Sequence, residues 1–258
     1  MAPPTLRPLS VGEILDVSFT LYRRHFAPLA LVALVCSGVP LLISLFLESS
    51  GGILVNPLLA LVYYLVFVVL GALATAATVH IVSESYLGRP LGARDALVRA
   101  TPLLWRLIVC SLLVAIVVGI GFILLLIPGI ILACGLILAF PALVLEPGST
   151  PVAALARSWA LTRGSRWRIF GLLLTLLVLL YIPFIAIGGI AAVLLPRTDF
   201  TSGGYQLAAG VVTVAVAGIV QVFIYPLFYC VLTVAYYDLR VRKEGFDLEV
   251  LASTLRPA

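Results

Sequence analysis

The chain has 258 residues, 63% of them hydrophobic and 10% charged, and its sixteen Lys and Arg against eleven Asp and Glu give a formal charge of +5. A soluble domain is about half apolar and a quarter charged, and folded proteins of a few hundred residues bury only about three-quarters of the area their chains expose. A soluble enzyme, a disordered chain and a nucleic-acid-binding domain are thereby excluded. No nucleic acid is expected as a partner, and a polytopic membrane protein remains.

Ahead of the first apolar run the chain reads SVGEILDVSFTLYRRHF, residues 10–26. Ser10 and Glu13 have capping-box spacing. Val11, Leu15, Phe19, Tyr22 and Phe26 recur on one helical face opposite Glu13, Asp16, Thr20 and Arg23, which predicts an amphipathic helix at the membrane interface. No secretory signal peptide is expected, because the first apolar run starts after Arg23 and Arg24 and no A-x-A site follows it.

A membrane-crossing helix needs about 20 mostly apolar residues, and a charge at its centre costs roughly 2.5–3.5 kcal/mol. Charge-free runs are therefore the ruler. Residues 25–47, 49–83, 107–145, 169–196 and 200–237 are free of Asp, Glu, Lys and Arg. The 107–145 run is too long for one crossing. Split at Ile127-Pro128-Gly129 it gives two helices of about 28 Å each at 1.5 Å per residue. That split also keeps the basic segments before and after it on one side, as the positive-inside rule requires.

An all-α protein with six transmembrane helices follows, over about 27–47, 53–80, 107–126, 130–145, 169–195 and 205–237, with a tail at 238–258. Fifteen of the sixteen basic residues fall on one set of connecting segments and only Arg197 on the other. Both termini are then expected in the cytoplasm, and the protein in a bacterial inner membrane.

Two further interfacial helices are predicted. Residues 92–106 carry Ala93, Leu97, Ala100 and Leu104 on one face. Residues 151–163 follow Thr150 as N-cap with Pro151 in the first helical position. Leu15, Leu97 and Leu155 can be overlaid, as can Ser18, Ala100 and Ser158. The overlay suggests a threefold pseudo-repeat of interfacial helix plus helical hairpin, although the offsets of 82 and 58 residues are unequal. At the far end, Arg240, Arg242 and Lys243 occupy the last turns of the final helix, and Gly245-Phe246 has the form of a glycine C-cap with its hydrophobic contact.

Three stretches together resemble the bacterial membrane-domain family named after glycerophosphoryl diester phosphodiesterase: LRPLSVGEILDVSFTLYRRHF, PALVLEPGSTPVAALARSWALTRGSRWRIFG and YYDLRVRKEGFDLE. In some members of that family the membrane domain precedes a catalytic barrel. A barrel would require a few hundred further residues and a His/Glu/Asp constellation. The chain is therefore expected to be the membrane part alone and not an enzyme, with no catalytic residue, cofactor or metal.

Few side chains in this chain suggest chemistry. Arg157, Arg163, Arg166 and Arg168 are candidate contacts for anionic lipid headgroups, at about 1 kcal/mol per charge, or simple determinants of topology. Trp159 and Trp167 suit the headgroup layer. Gln221 is the strongly polar side chain near the middle of a span and needs a partner there, such as Thr75, Thr78 or Thr175. His80 and Glu84, four apart, form either a proton-responsive or ion-coordinating boundary pair or an ordinary helix-end pair. Gly71/Thr75, Ala72/Ala76 and Thr213/Ala217 have the small-xxx-small spacing of close helix packing. Cys36, Cys110, Cys134 and Cys230 lie in apolar runs and read as buried thiols.

The expected function is a non-catalytic membrane module, a scaffold or lipid-interacting domain. Its expected partners are membrane lipids, anionic on the cytoplasmic face, and a protein partner or second copy is compatible with the sequence. A transporter or channel for an apolar or lipid-like solute is the alternative, with a cavity beside Gln221 and the kinks at Pro183 or Pro226 as its mark. A lipid-modifying enzyme built on His80 and Glu84 is a third reading.

Overall fold

A computed structural model of the chain describes residues 7–49, 57–194, 212, 214, 216 and 218–246. The described residues are largely α-helical and hold no strand; residues 212, 214, 216, 218 and 219 are helical, and ten further helices have defined bounds. They are α1 (Val11–Arg24), α2 (Phe26–Ser49), α3 (Pro57–Tyr86), α4 (Ala93–Ala100), α5 (Leu104–Leu124), α6 (Leu126–Leu136), α7 (Ala139–Leu145), α8 (Pro151–Thr162), α9 (Arg166–Leu194) and α10 (Tyr225–Glu244). Five stretches are long and apolar enough to cross a membrane: Phe26–Leu47, Pro57–Tyr86, Ala93–Leu124, Leu126–Leu145 and Val220–Glu244. The fifth of the six expected spans falls on α9, a continuous helix of 29 residues.

The local signals act where the sequence places them. Ser10 accepts from the Glu13 amide at 3.3 Å and Glu13 reaches back to the Ser10 amide at 2.7 Å, closing the capping box. The Ser10 amide first, then its hydroxyl and Arg7, hold the Glu13 carboxyl below its ordinary pKa. Thr150 caps α8 through the Ala153 amide at 3.2 Å, with Pro151 opening the helix. Gly245 ends α10 in the left-handed conformation at φ 64°, which favours glycine.

The three short helices α1, α4 and α8 share a register. Their N-caps are Ser10, Gly92 and Thr150. Counted from each cap, the same two positions are buried: Ile14 and Ser18, Ala96 and Ala100, Ala154 and Ser158. Leu15, Leu97 and Leu155 are half-buried beside them. This matched burial supports the pseudo-repeat, and each unit leads into a long helix. On α1 the buried line runs through Ile14 and Ser18, rotated from the expected Val11–Leu15–Phe19–Tyr22 stripe. The polar Ser18 is tolerated there because its hydroxyl donates to the Ile14 carbonyl at 2.6 Å.

Several expected boundaries move. Residues 92–106 do not form one helix, because Pro102 lies in a 3₁₀ turn at Thr101–Leu103 and α5 begins at Leu104. The hairpin in the 107–145 run breaks at Leu125, which alone is extended (φ −166°, ψ 155°), and not at Ile127-Pro128-Gly129. Pro128 instead sits in the first turn of α6, where a missing N–H breaks no helical bond. Gly129 serves close approach. A Cβ there would lie 2.5 Å from the Phe122 ring, and one on Gly121 would lie 3.0 Å from the Gly129 Cα. The returning arm of this helical hairpin is itself divided at Ile137-Leu138, since Pro141 has no N–H to give the Ile137 carbonyl.

The last span is also interrupted. Val220–Ile224 form a π-turn, with the Tyr225 amide bonded to the Val220 carbonyl. Pro226 follows directly, and a π-bulge absorbs the bond it cannot make. Residues 205–211, Thr213 and Ala217 lie outside the described residues, as do 53–56 and 247–258. The first residues of the expected tail, from Asp238, continue α10 as helix.

Helix α10 is buried on nearly all sides from Pro226 to Val241 and forms the axis of the molecule. It packs on α1 and on α3. The α3 face is a run of small residues, Ala74 to Thr78, all buried, which lets the backbones approach closely. Thr75 meets the Tyr225 hydroxyl at 2.6 Å and Ser83 meets that of Tyr237 at 2.6 Å. All four cysteines are free and buried.

Replacing Gly129 by Val forces Cβ into the Phe122 ring and should cost about 1–3 kcal/mol, the usual penalty of overpacking. Thermal unfolding in detergent micelles is expected to show a lowered midpoint for Gly129→Val and partial recovery in Gly129→Val with Phe122→Ala.

Candidate functional site

The basic ends of the helices meet in one layer, and an acidic residue organises it. Asp238, on α10, is 2% exposed. Its Oδ1 accepts from the Leu9 amide at 2.7 Å, and its Oδ2 from Arg168 Nη1 at 2.6 Å. Arg242 Nε lies 3.1 Å from Oδ2, one helical turn on. Arg242 Nη2 also donates to the Leu9 carbonyl at 2.6 Å, and Arg168 Nη2 donates to the same oxygen. A buried carboxylate is costly unless paired and hydrogen-bonded. Here two guanidinium groups and a backbone N–H meet that requirement.

A second cluster lies beside it. Arg157 donates through Nε to Glu146 Oε1 at 2.6 Å and through Nη2 to Glu244 Oε2 at 2.7 Å, with Nη1 on the other Glu244 oxygen. This fork geometry is the strong form of an arginine–carboxylate pair. Tyr236 donates to Glu146 at 2.7 Å and Arg240 Nε to Glu244 at 3.2 Å. Lys243 Nζ donates to the carbonyls of Ala160 and Arg163 at 3.2 and 2.5 Å, a cation on the negative end of α8.

The four arginines expected to act together toward lipid are therefore divided. Arg157 and Arg168 are engaged inside the protein, by acidic residues 87 and 70 positions away. Arg163 is exposed. Arg166 makes no ion pair or hydrogen bond among the described residues. Its guanidinium lies 3.7 Å from the Trp159 ring centroid, and its Nε is buried without a partner. Arg166 and Trp167 border a groove of about 440 Å³ between α6 and the start of α9, lined also by Ile127, Ile130, Ile131, Cys134, Gly164 and Phe170. Trp167 is 85% exposed and meets Phe170 edge to face at 5.9 Å.

The other candidates are not joined as expected. Glu84 accepts from Arg99 at 3.2 Å and not from His80. His80 Nε2 is buried without a partner. Gln221 makes no hydrogen bond to a threonine among the described residues; Thr75 is bonded to Tyr225 and Thr175 to the Gly171 carbonyl. Gln221 instead borders a chamber of about 240 Å³ between α2, α3, α5, α7, the π-turn and α10. Asp238, Glu146 and Glu244 were absent from the sequence-derived site. The usable signal was their type, since they are acidic residues on segments otherwise rich in arginine.

Removing either partner of the Arg157–Glu244 fork should destabilise the fold, and the two losses should not add. A double-mutant cycle of Arg157→Gln and Glu244→Gln by thermal unfolding is expected to give a coupling of about 1–2 kcal/mol, the range for contacting residues reduced by partial exposure.

The family described as the membrane domain of glycerophosphoryl diester phosphodiesterase matches residues 103–254. The match takes in α5 to α10 with both ion clusters and the Arg166 groove, whereas the similar opening segment at 6–26 lies before it. No curated protein and no solved structure matches the chain. With more than half of its length matched, this multi-pass membrane protein belongs to the glycerophosphoryl diester phosphodiesterase membrane-domain family.

Proposed function

We propose that the chain is a non-catalytic membrane module that holds anionic phospholipid at its basic face. In this reading α9 completes six spans, the basic layer and both termini face the cytoplasm of a bacterial inner membrane, and α1, α4 and α8 lie at the interface. The positive-inside rule supports that orientation, with fifteen of sixteen basic residues on one side.

The observation that carries the lipid role is Arg166. It is a cation with a buried, unpartnered Nε bordering an apolar groove. A phosphate can take the guanidinium while an acyl chain lies along Ile130 and Ile127, and the exposed Trp167 anchors the headgroup level. The absence of catalysis is supported by the carboxylates of the layer, since Glu146, Asp238 and Glu244 are all committed to arginines. The chamber beside Gln221 favours a second reading, a carrier for a lipid-like solute.

Native mass spectrometry of the protein released from phosphatidylglycerol-containing nanodiscs tests the first reading. Arg166→Gln is expected to retain about fivefold less phosphatidylglycerol, the equivalent of about 1 kcal/mol per charge. Arg157→Gln, whose charge is used internally, should stay within about twofold of the parent. Equal retention by the parent and Arg166→Gln would overturn the assignment.

A further inference from the structure

We infer that the chamber around Gln221 is a binding site for a neutral, hydroxyl-bearing lipid of the diacylglycerol type. The inference stands apart from the Arg166 groove and involves none of its residues.

The chamber lies deep in the apolar zone. Cys36 and Pro40 border it on α2, and at 1.5 Å per residue they lie about 15–21 Å along that helix from its start, near the middle of a hydrocarbon core about 30 Å thick. Its volume of about 240 Å³ is several times the roughly 30 Å³ of one water. The backbone marks the place as unusual, since the π-turn at Val220–Ile224 and Pro226 distort the helix that carries Gln221. The distortion is fastened from outside by Tyr22, whose hydroxyl donates to the Phe223 carbonyl at 3.0 Å.

Polar groups in hydrocarbon normally find partners, and three of those here do. Thr75 and Tyr225 bond each other, and Ser111 bonds the Ile108 carbonyl. Gln221 and Ser37, both on the chamber wall, make no hydrogen bond among the described residues. Gln221 offers two donors and an acceptor, and Ser37 one donor and two acceptor lone pairs. These groups suit a hydroxyl or ester.

Charge decides the class of ligand. No Asp, Glu, Lys, Arg or His borders the chamber among the described residues, so an anionic headgroup would meet no countercharge at a depth where an unpaired charge costs several kcal/mol. A neutral head carries no such cost. The rim explains the tails: Phe67 and Val68 border the chamber and are 39% and 42% exposed on α3. A glycerol hydroxyl can lie at Gln221 while the acyl chains pass that rim into the bilayer.

Gly71 supplies a clean control. It borders the chamber, and a Cβ added there meets nothing within 4 Å, so the branch point of Gly71→Leu is accommodated while its larger side chain takes up space at the chamber wall. The experiment uses the full chain in phosphatidylcholine nanodiscs with a diazirine-bearing diacylglycerol. Photolabelling is expected on peptides covering Cys36–Pro40, Phe67–Thr75 and Gln221–Tyr229. Unlabelled diacylglycerol should compete and phosphatidylglycerol should not. Gln221→Leu and Gly71→Leu should each lower labelling at least fivefold at unchanged thermal midpoint, and Arg166→Gln should leave it as in the parent. Labelling spread over the lipid-facing surface, equal competition by phosphatidylglycerol, or full labelling of Gly71→Leu would each overturn the inference. The wild-type competition pattern decides the matter by itself should a variant fail to fold.

Discussion

A carboxylate that is almost wholly excluded from solvent must be neutralised, and the basic layer of this protein is organised around that requirement. Asp238 draws in Leu9 from the N-terminal segment, Arg168 from the start of α9 and Arg242 from its own helix. The contacts join positions 229 and 70 residues apart. Replacing such a pair by apolar groups can be neutral, but removing one member leaves a buried charge and costs about 3–5 kcal/mol. The node thus fixes the approach of α1 and α9 to the central helix α10. The Arg157 fork repeats the device between α7, α8 and α10. Above both clusters the packing is apolar, with small residues of α3 against α10.

This arrangement sorts the arginines by role. Those with carboxylate partners are structural, and their charge is largely used within the protein. Arg166 is left with an aromatic ring behind it and an apolar groove before it. Topology and lipid contact are therefore compatible uses of one basic segment, carried by different side chains. The chamber at Gln221 is chemically the opposite, an uncharged polar recess inside the spans. In the proposed reading the two places take two kinds of lipid, anionic at the basic face and neutral within.

Much of the fold was legible because its causes are local. Charge-free runs gave the helices, Ser10 with Glu13 and Thr150 with Pro151 gave their starts, and Gly245 gave the end of α10. The shared register of α1, α4 and α8 was legible as a loose overlay of Leu15, Leu97 and Leu155. The hairpin turn was misplaced because proline and glycine suggest a turn wherever they adjoin. Here Pro128 begins a helix and Gly129 makes room for Phe122. The site was less legible. Which arginine meets which carboxylate depends on how α8, α9 and α10 converge, and no spacing rule relates Arg157 to Glu244 or Arg168 to Asp238. The chamber likewise arises from the mutual packing of segments distant in the chain, and Gln221 and Pro226 were its visible signs.

The dependence of the basic layer on Asp238 can be measured directly by amide hydrogen exchange on the protein in nanodiscs, comparing the parent with Asp238→Asn. The account requires the Leu9 amide and α1 to exchange about a hundredfold faster in the variant, the equivalent of about 3 kcal/mol, while the α5–α6 hairpin exchanges as before. Protection of α1 unchanged by the substitution would contradict it.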